Sequence, residues 1–216
     1  PNAANFTVRA LTAPAGAAPQ QRDARGKLLA QLDTRYRGLD LADENIDGMD
    51  RFYQQAFDIL RSERTREAFD LNREKEELRD RYGRTSFGQG CLLARRLIEA
   101  GVRCVTLDYG GWDTHQRNFS SMKNELLPTW DTAVAALLED LHRRGLLETT
   151  LVWSTGEMGR TPTINNNAGR DHWGRAMSMM LAGGGIQGGR VLGVTDNQGA
   201  EVTDGGCKPE DVAATV

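Results

Sequence analysis

Long apolar runs are missing from this chain of 216 residues, and none approaches the ~18 residues that a membrane span needs. A dominant charge sign is missing too. Lys and Arg number 27 and Asp and Glu 30, for a net charge of -3 with no basic stripe, which argues against a general nucleic-acid binder. Cysteine is scarce. Cys91, Cys104 and Cys207 are widely spaced and form no CxxC pair, so they suggest neither a disulfide framework nor a zinc ribbon. Cys91 and Cys104 fall in apolar stretches and are expected in the core. There is no GxSxG elbow. Ser154 and Thr155 sit where a strand should end, but no histidine adjoins them, so the sequence shows no self-contained nucleophilic triad. No signal peptide is visible. The first residue is Pro1, and residues 209–216 read as a helix that begins with Pro209 and is then cut off. Both ends therefore resemble those of a fragment or processed chain, and the missing signal says little about compartment.

What is present suits one sizeable globular domain, with 39% hydrophobic and 26% charged residues. Residues 1–22 are rich in Ala, Pro, Gln and Gly, with a short strand possible at 6–8. Helical spacing recurs over 23–36, 49–61 and 62–82; the last is strongly charged and reads as a solvated, ion-paired face. Residues 43–48 resemble the start of a calcium loop. Its twelfth position, however, is Gln54 rather than a bidentate Glu, so an acidic helix start is the better reading.

From residue 86 the order becomes helix, strand, helix, strand. A helix capped by Thr85 or Ser86 runs to about Ala100 and stops at Gly101. A buried strand is expected over 103–109. A long amphipathic helix then spans about 119–144, with Pro128 kinking or dividing it and His142 exposed at its end. Further strands are expected at 149–155, 177–181 and 190–194. This order predicts a three-layer α/β architecture, its sheet largely parallel with helices on both faces. Residues 1–85 form a mainly helical segment packing on the sheet, and 86–216 the α/β region of the same domain. Gly183, Gly185 and Gly188 match a dinucleotide fingerprint formally, but they lead into an expected strand rather than a helix.

Polar residues able to bind a metal gather where strands end: Asp113 and His115 in the run GWDTH, Glu157 in GEMGR, and Asp171 and His172 in GRDHW. Glycines beside each permit sharp turns and close backbone approach. Two imidazoles with two or three carboxylates suit zinc, manganese or iron, and suit calcium less well. Arg160, Arg170 and Arg175 could clamp an anionic oxygen. The chemistry expected of such a site is Lewis-acid catalysis.

Several runs carry a resemblance. AFDL at 68–71, RYGR at 81–84 followed by Phe87, Gly88 and Gln89, and LARRL at 93–97 resemble the domain-of-unknown-function 1501 family. So do GWDTH at 111–115, GEMGRTP at 156–162, GRDHW at 169–173 and AGGGI at 182–186, in the family's order. The resemblance implies the alkaline-phosphatase/sulfatase-like fold, common in exported bacterial proteins, here as an incomplete C-terminal part of the domain. It implies a periplasmic or exported location and one or two divalent metals acting on small anionic phosphate or sulfate esters. Asp113 and His115 look like ligands of one metal, Asp171 and His172 like the late loop that completes it, and Glu157 like the carboxylate after the late strand. Related enzymes follow that carboxylate with a histidine, where this chain has Met158. The family's nucleophile and first metal-binding Asp come from an N-terminal strand that this sequence does not supply. Two functions follow: a metal-dependent ester hydrolase with Glu157, Arg160 and Arg170 assisting, or a non-catalytic exported or cell-surface protein that keeps the fold as a binding scaffold.

Overall fold

The computed structural model describes residues 62–216, together with Ala24, Lys27, Leu28, Gln31, Phe52, Gln55 and Asp58, all seven helical. Otherwise the helices expected over 23–36 and 49–61, the strand at 6–8 and the acidic loop at 43–48 lie outside the described residues. Two compact units divide between Arg73 and Glu74.

In the first unit, α1 spans Glu63–Phe69. Ser62 caps it, its hydroxyl accepting from the Thr65 N–H at 3.2 Å. Asp70 ends it. The Asp70 carboxylate accepts from the Asn72 N–H at 3.1 Å, and a 3-10 turn follows over Leu71–Arg73. The second unit opens with α2, Glu76–Arg81. The single helix expected over 62–82 is therefore broken twice. Its charged face is not wholly solvated either, because Arg79 is buried against Gln89, donating to its side-chain oxygen at 3.0 Å.

The core of the second unit is helical. α3 spans Ser86–Glu99, begins at Thr85, whose hydroxyl accepts from the Gly88 N–H at 3.0 Å, and packs against α5. The chain then runs through α4 (Asn118–Ser121), a π turn (Met122–Leu126) and α5 (Leu127–Arg143). Pro128 is the second residue of α5, just after the π bonding ends. The expected long helix therefore runs on in helical backbone from Asn118 to Arg143, with a π segment ahead of Pro128 in place of a break. Cys91 and Leu92 from α3 meet a buried stripe of Ala133, Val134, Leu137 and Leu141 from α5. Each fully buried Leu contributes about 1.5–3 kcal/mol.

Strands follow at Leu151–Thr155 (β1), Gly159–Arg160 (β2), His172–Trp173 (β3), Met179–Gly183 (β4), Val194–Thr195 (β5) and Val202–Asp204 (β6). They form three two-stranded antiparallel ladders, β1 with β4, β2 with β3 and β5 with β6. The last helix, α6, spans Pro209–Thr215. Of the strands expected at 149–155 and 177–181, the first begins two residues later and the second is shifted two residues on. The one expected at 190–194 begins only at Val194, after Gly193 with φ 82°.

Residues 102–114, expected to hold a strand at 103–109, form neither helix nor ladder. Strand propensity is realised only through pairing, and no described strand pairs with this segment. It is held instead by side chains. Tyr109 stacks on Phe87 with centroids 4.3 Å apart, and its hydroxyl donates to the Leu126 carbonyl at 3.3 Å. Cys104, expected in the core, is exposed for the same reason. Gly188 is followed by no helix until Pro209, so the dinucleotide fingerprint lacks the helix N-terminus that it requires. Among the described residues no helix is long and apolar enough to cross a membrane.

Candidate metal centre

The site is built where the turn after Tyr109 meets the loop between β2 and β3. Three backbone hydrogen bonds between them, a fourth within the loop and one glycine lock the two together. The N–H groups of Arg117 and Asn118 donate to the Asn167 and Ala168 carbonyls at 3.0 and 2.9 Å, and that of Arg170 donates to the Thr114 carbonyl at 3.1 Å. The fourth closes the loop on itself, from Asn165 N–H to Gly169 carbonyl at 2.9 Å. A Cβ on Gly169 would lie 2.0 Å from the His115 carbonyl, so only glycine permits this approach. Beneath, the buried Thr114 hydroxyl donates to the Asn118 side-chain oxygen at 2.5 Å.

Asn165 is the residue that sequence reasoning missed. Its side-chain oxygen accepts from the N–H groups of Asn167 and Gly169 at 3.0 and 2.9 Å. Its amide nitrogen donates to the His115 carbonyl at 2.9 Å and to Asp171 Oδ1 at 3.1 Å. Every donor and acceptor it can offer is therefore engaged at once. The three consecutive asparagines at 165–167 were the available signal, since Asn stabilises turns by bonding nearby backbone.

The chemical groups converge on one oxygen. Arg160 and His172 are cross-strand partners in the β2–β3 ladder, so their side chains emerge side by side. Both reach Asp113 Oδ1, Arg160 Nη1 at 2.6 Å and His172 Nε2 at 2.9 Å. His115 Nε2 lies 3.0 Å from the same oxygen and 3.2 Å from His172 Nε2. Asp113 Oδ1, His115 Nε2 and His172 Nε2 thus form a triangle, each residue offering one ligand atom. Three donors on a tetrahedral ion with bonds of about 2.0–2.1 Å lie about 3.3 Å apart, so the donor set fits a small divalent cation. Proton bookkeeping agrees with this. A proton on His172 Nε2 can serve two edges of the triangle, but the edge from His115 to Asp113 then joins two acceptors. Hydrogen bonds from His172 and then Arg160 hold the Asp113 carboxyl down to about 2, so it is ionised. Asp113 and both imidazoles are about half exposed, open to a ligand from solvent.

The remaining expected site residues are placed as follows. Asp171 is not part of the triangle. Its Oδ1 lies 2.7 Å from the other nitrogen of His115, Nδ1. Bonds from His115 and then Asn165 lower its pKa. Arg160 is tied to Asp113, with further N–H groups to offer. Arg170 lies over the Phe119 ring, 5.5 Å from its centroid, and its buried Nε has no hydrogen-bond partner. Arg175 pairs with Glu201. Glu157 is exposed in the turn between β1 and β2, outside the convergent group. The structure thus brings together Asp113, His115, His172, Asp171 and Arg160, and leaves Glu157 apart.

The described residues thus form helices, short ladders and a solvent-open Asp–His cluster assembled from two separated segments. The chain belongs to the family described as "Protein of unknown function (DUF1501)", whose model matches residues 1–216. No curated protein and no solved structure matches it.

Proposed function

We propose that this chain carries the metal-binding part of a metal-dependent hydrolase of phosphate or sulfate esters, in the manner of the alkaline-phosphatase/sulfatase-like superfamily. With that goes its three-layer, largely parallel α/β fold and an exported or periplasmic location. One observation carries the proposal: Asp113 Oδ1, His115 Nε2 and His172 Nε2 meet within 3.2 Å of one another although the two histidines are 57 residues apart in sequence. Asp113, His115 and His172 would hold a divalent cation, zinc or manganese by donor type, calcium less readily. When bound, such an ion acts as a Lewis acid on a phosphoryl or sulfuryl oxygen and lowers the pKa of water. The chain's own residues do the rest. Asp113 brings the negative charge and the imidazoles bring lone pairs. Arg160 offers planar N–H donors beside the centre for an anionic oxygen, and Arg170 is a second candidate for that task.

A binding scaffold without turnover is the competing reading. It is favoured by Glu157, which stands outside the cluster. It is favoured also by the hydroxyl groups, none of which bonds to Asp113, His115 or His172 among the described residues. Metal analysis of the purified full-length protein tests the first proposal. About one equivalent of zinc or manganese is expected, and Asp113→Ala should lose it; full retention in that variant removes the assignment. A panel of phosphate and sulfate esters then separates the readings, since metal-dependent turnover defeats the scaffold.

A further inference from the structure

We infer that Asp171 is not a metal ligand but a positioning residue, held by Asn165, that fixes the tautomer and aim of His115. The inference rests on the metal reading of the triangle for its functional meaning, but its geometry stands alone.

The logic starts from Asn165. Its side-chain oxygen accepts two backbone N–H groups, from Asn167 and Gly169, so the amide cannot be turned the other way round. Its NH₂ must then face the His115 carbonyl and Asp171 Oδ1. Asp171 is in turn tied to Thr161, the residue that follows β2. Its N–H donates to the Thr161 hydroxyl at 3.1 Å, and its carbonyl accepts from the Thr161 N–H at 2.9 Å. Asp171 Oδ1 is therefore a fixed acceptor. It lies 2.7 Å from His115 Nδ1. An ionised carboxylate can only accept, so the proton of that bond belongs to Nδ1. A neutral imidazole with its proton on Nδ1 carries its lone pair on Nε2, the nitrogen that faces Asp113 and His172. Metal-bound imidazoles are commonly oriented by a carboxylate in this way, and removing the partner typically costs 10–100-fold in metal affinity.

The two histidines differ here. His172 reaches Asp113 and His115 through Nε2, and no described residue accepts a hydrogen bond from its Nδ1. One imidazole is therefore fixed by the fold and the other is not.

The test uses the full chain, its Asp171→Ala and Asn165→Ser variants, and zinc alone as the probe. Side-chain ¹H–¹⁵N spectra at one fixed pH report which ring nitrogen carries the proton, and competition titration reports zinc affinity. Wild type is expected to show His115 protonated at Nδ1. Asp171→Ala, which removes the acceptor that an Asn would keep, should lose that single tautomer and bind zinc 10–100-fold more weakly. Asn165→Ser should give a smaller loss in the same direction, and serves alone if Asp171→Ala does not fold. Wild-type zinc binding retained within twofold by Asp171→Ala, or an unchanged His115 tautomer, overturns the inference. If wild type binds no zinc while Asp171→Ala still shifts the tautomer, the positioning role stands and the metal reading fails.

Discussion

Among the places in the second unit where carboxylates and basic side chains meet, two obey opposite rules. Between α2, α3 and α5, Arg95 is 1% exposed and sits among Glu74 at 2.8 Å, Glu99 at 2.7 Å and Asp140 at 2.9 Å. Asp140 also accepts from the Tyr82 hydroxyl at 3.0 Å and from Arg144 at 2.8 Å. At the 113–172 site the acid is matched with imidazoles and lies about half in solvent. Arginine is always protonated, so the buried network supplies its own cation: Arg95 Nη1 donates to Glu99, while Nε and Nη2 lie at ion-pair distance from Asp140 and Glu74 without an aligned hydrogen bond. Histidine offers a lone pair as readily as a proton. Two imidazole nitrogens facing one carboxylate oxygen therefore leave acceptors opposed. On the proposed reading the helical network holds the fold, and the loop cluster would receive a cation. Each should fail without the other.

Replacing Arg95 should have the largest effect. Arg95→Met leaves Glu74 and Asp140 buried without their central cation, and breaking such a pair costs about 3–5 kcal/mol. Urea unfolding should show that loss, while zinc affinity of the folded fraction should stay within twofold of wild type. A fall in both together would break the separation between the two regions.

Asp140→Asn should cost about 2–3 kcal/mol at neutral pH, since it leaves Arg95 and Arg144 short of one charge. Its sharper signature is in pH. Burial alone would raise the Asp140 carboxyl, but bonds from Arg144 and the charge of Arg95 overcome it and hold the pKa below 3.8. Glu74 is likewise raised by burial but held below 4.5 by Arg95 and Arg96. Both groups have folded values below their unfolded ones. Their stabilisation is therefore complete above about pH 5 and is lost as pH falls through the folded values. The urea midpoint should be flat from pH 7 to 5 and then drop, with a shallower drop in Asp140→Asn.

Gly169→Ala probes the other region through its backbone. The new Cβ would stand 2.0 Å from the His115 carbonyl, and the clash is with main chain that cannot turn aside. A loss of about 1–3 kcal/mol is expected. Zinc binding should weaken by at least tenfold, because the turn carrying Asp113 and His115 separates from the loop carrying His172. Unchanged zinc affinity would mean that the loop contact does not position the ligands.

The sequence made some of this legible and hid the rest for physical reasons. The α3 and α5 helices were readable because their apolar spacing is local and strong, and Thr85 marks a start by its own chemistry. The strand expected over 103–109 was not realised, because the residues can state a preference but not supply a partner. Asp113, His115 and His172 were chosen for their ligand chemistry next to glycines, and the fold brings those three together. Glu157 had the same credentials yet lies apart, since side-chain type says nothing about which way a three-residue turn faces. The separate task of Asp171 could not be seen either. It depends on which imidazole nitrogen the carboxylate meets, a matter of fractions of an ångström in a loop closed by Asn165.

Asp113→Asn should have the smallest effect on stability and a decisive one on binding, and so it sharpens the contrast most. Asp113 is exposed, and exposed ion pairs contribute little to stability, so the urea midpoint should barely move. The substitution keeps the shape and one acceptor oxygen but removes the negative charge that His115, His172 and Arg160 surround. A structural ion pair would register that change as lost stability. A cation site registers it as lost affinity, because a neutral amide is a far poorer ligand for a divalent ion than a carboxylate. Thermal unfolding of wild type and Asp113→Asn, each with and without zinc, reads both quantities at once. The expected result is coincident curves without zinc and an upward shift with zinc in wild type only. Equal shifts in the two proteins would assign the zinc to other residues and return Asp113 to the role of a surface partner for Arg160.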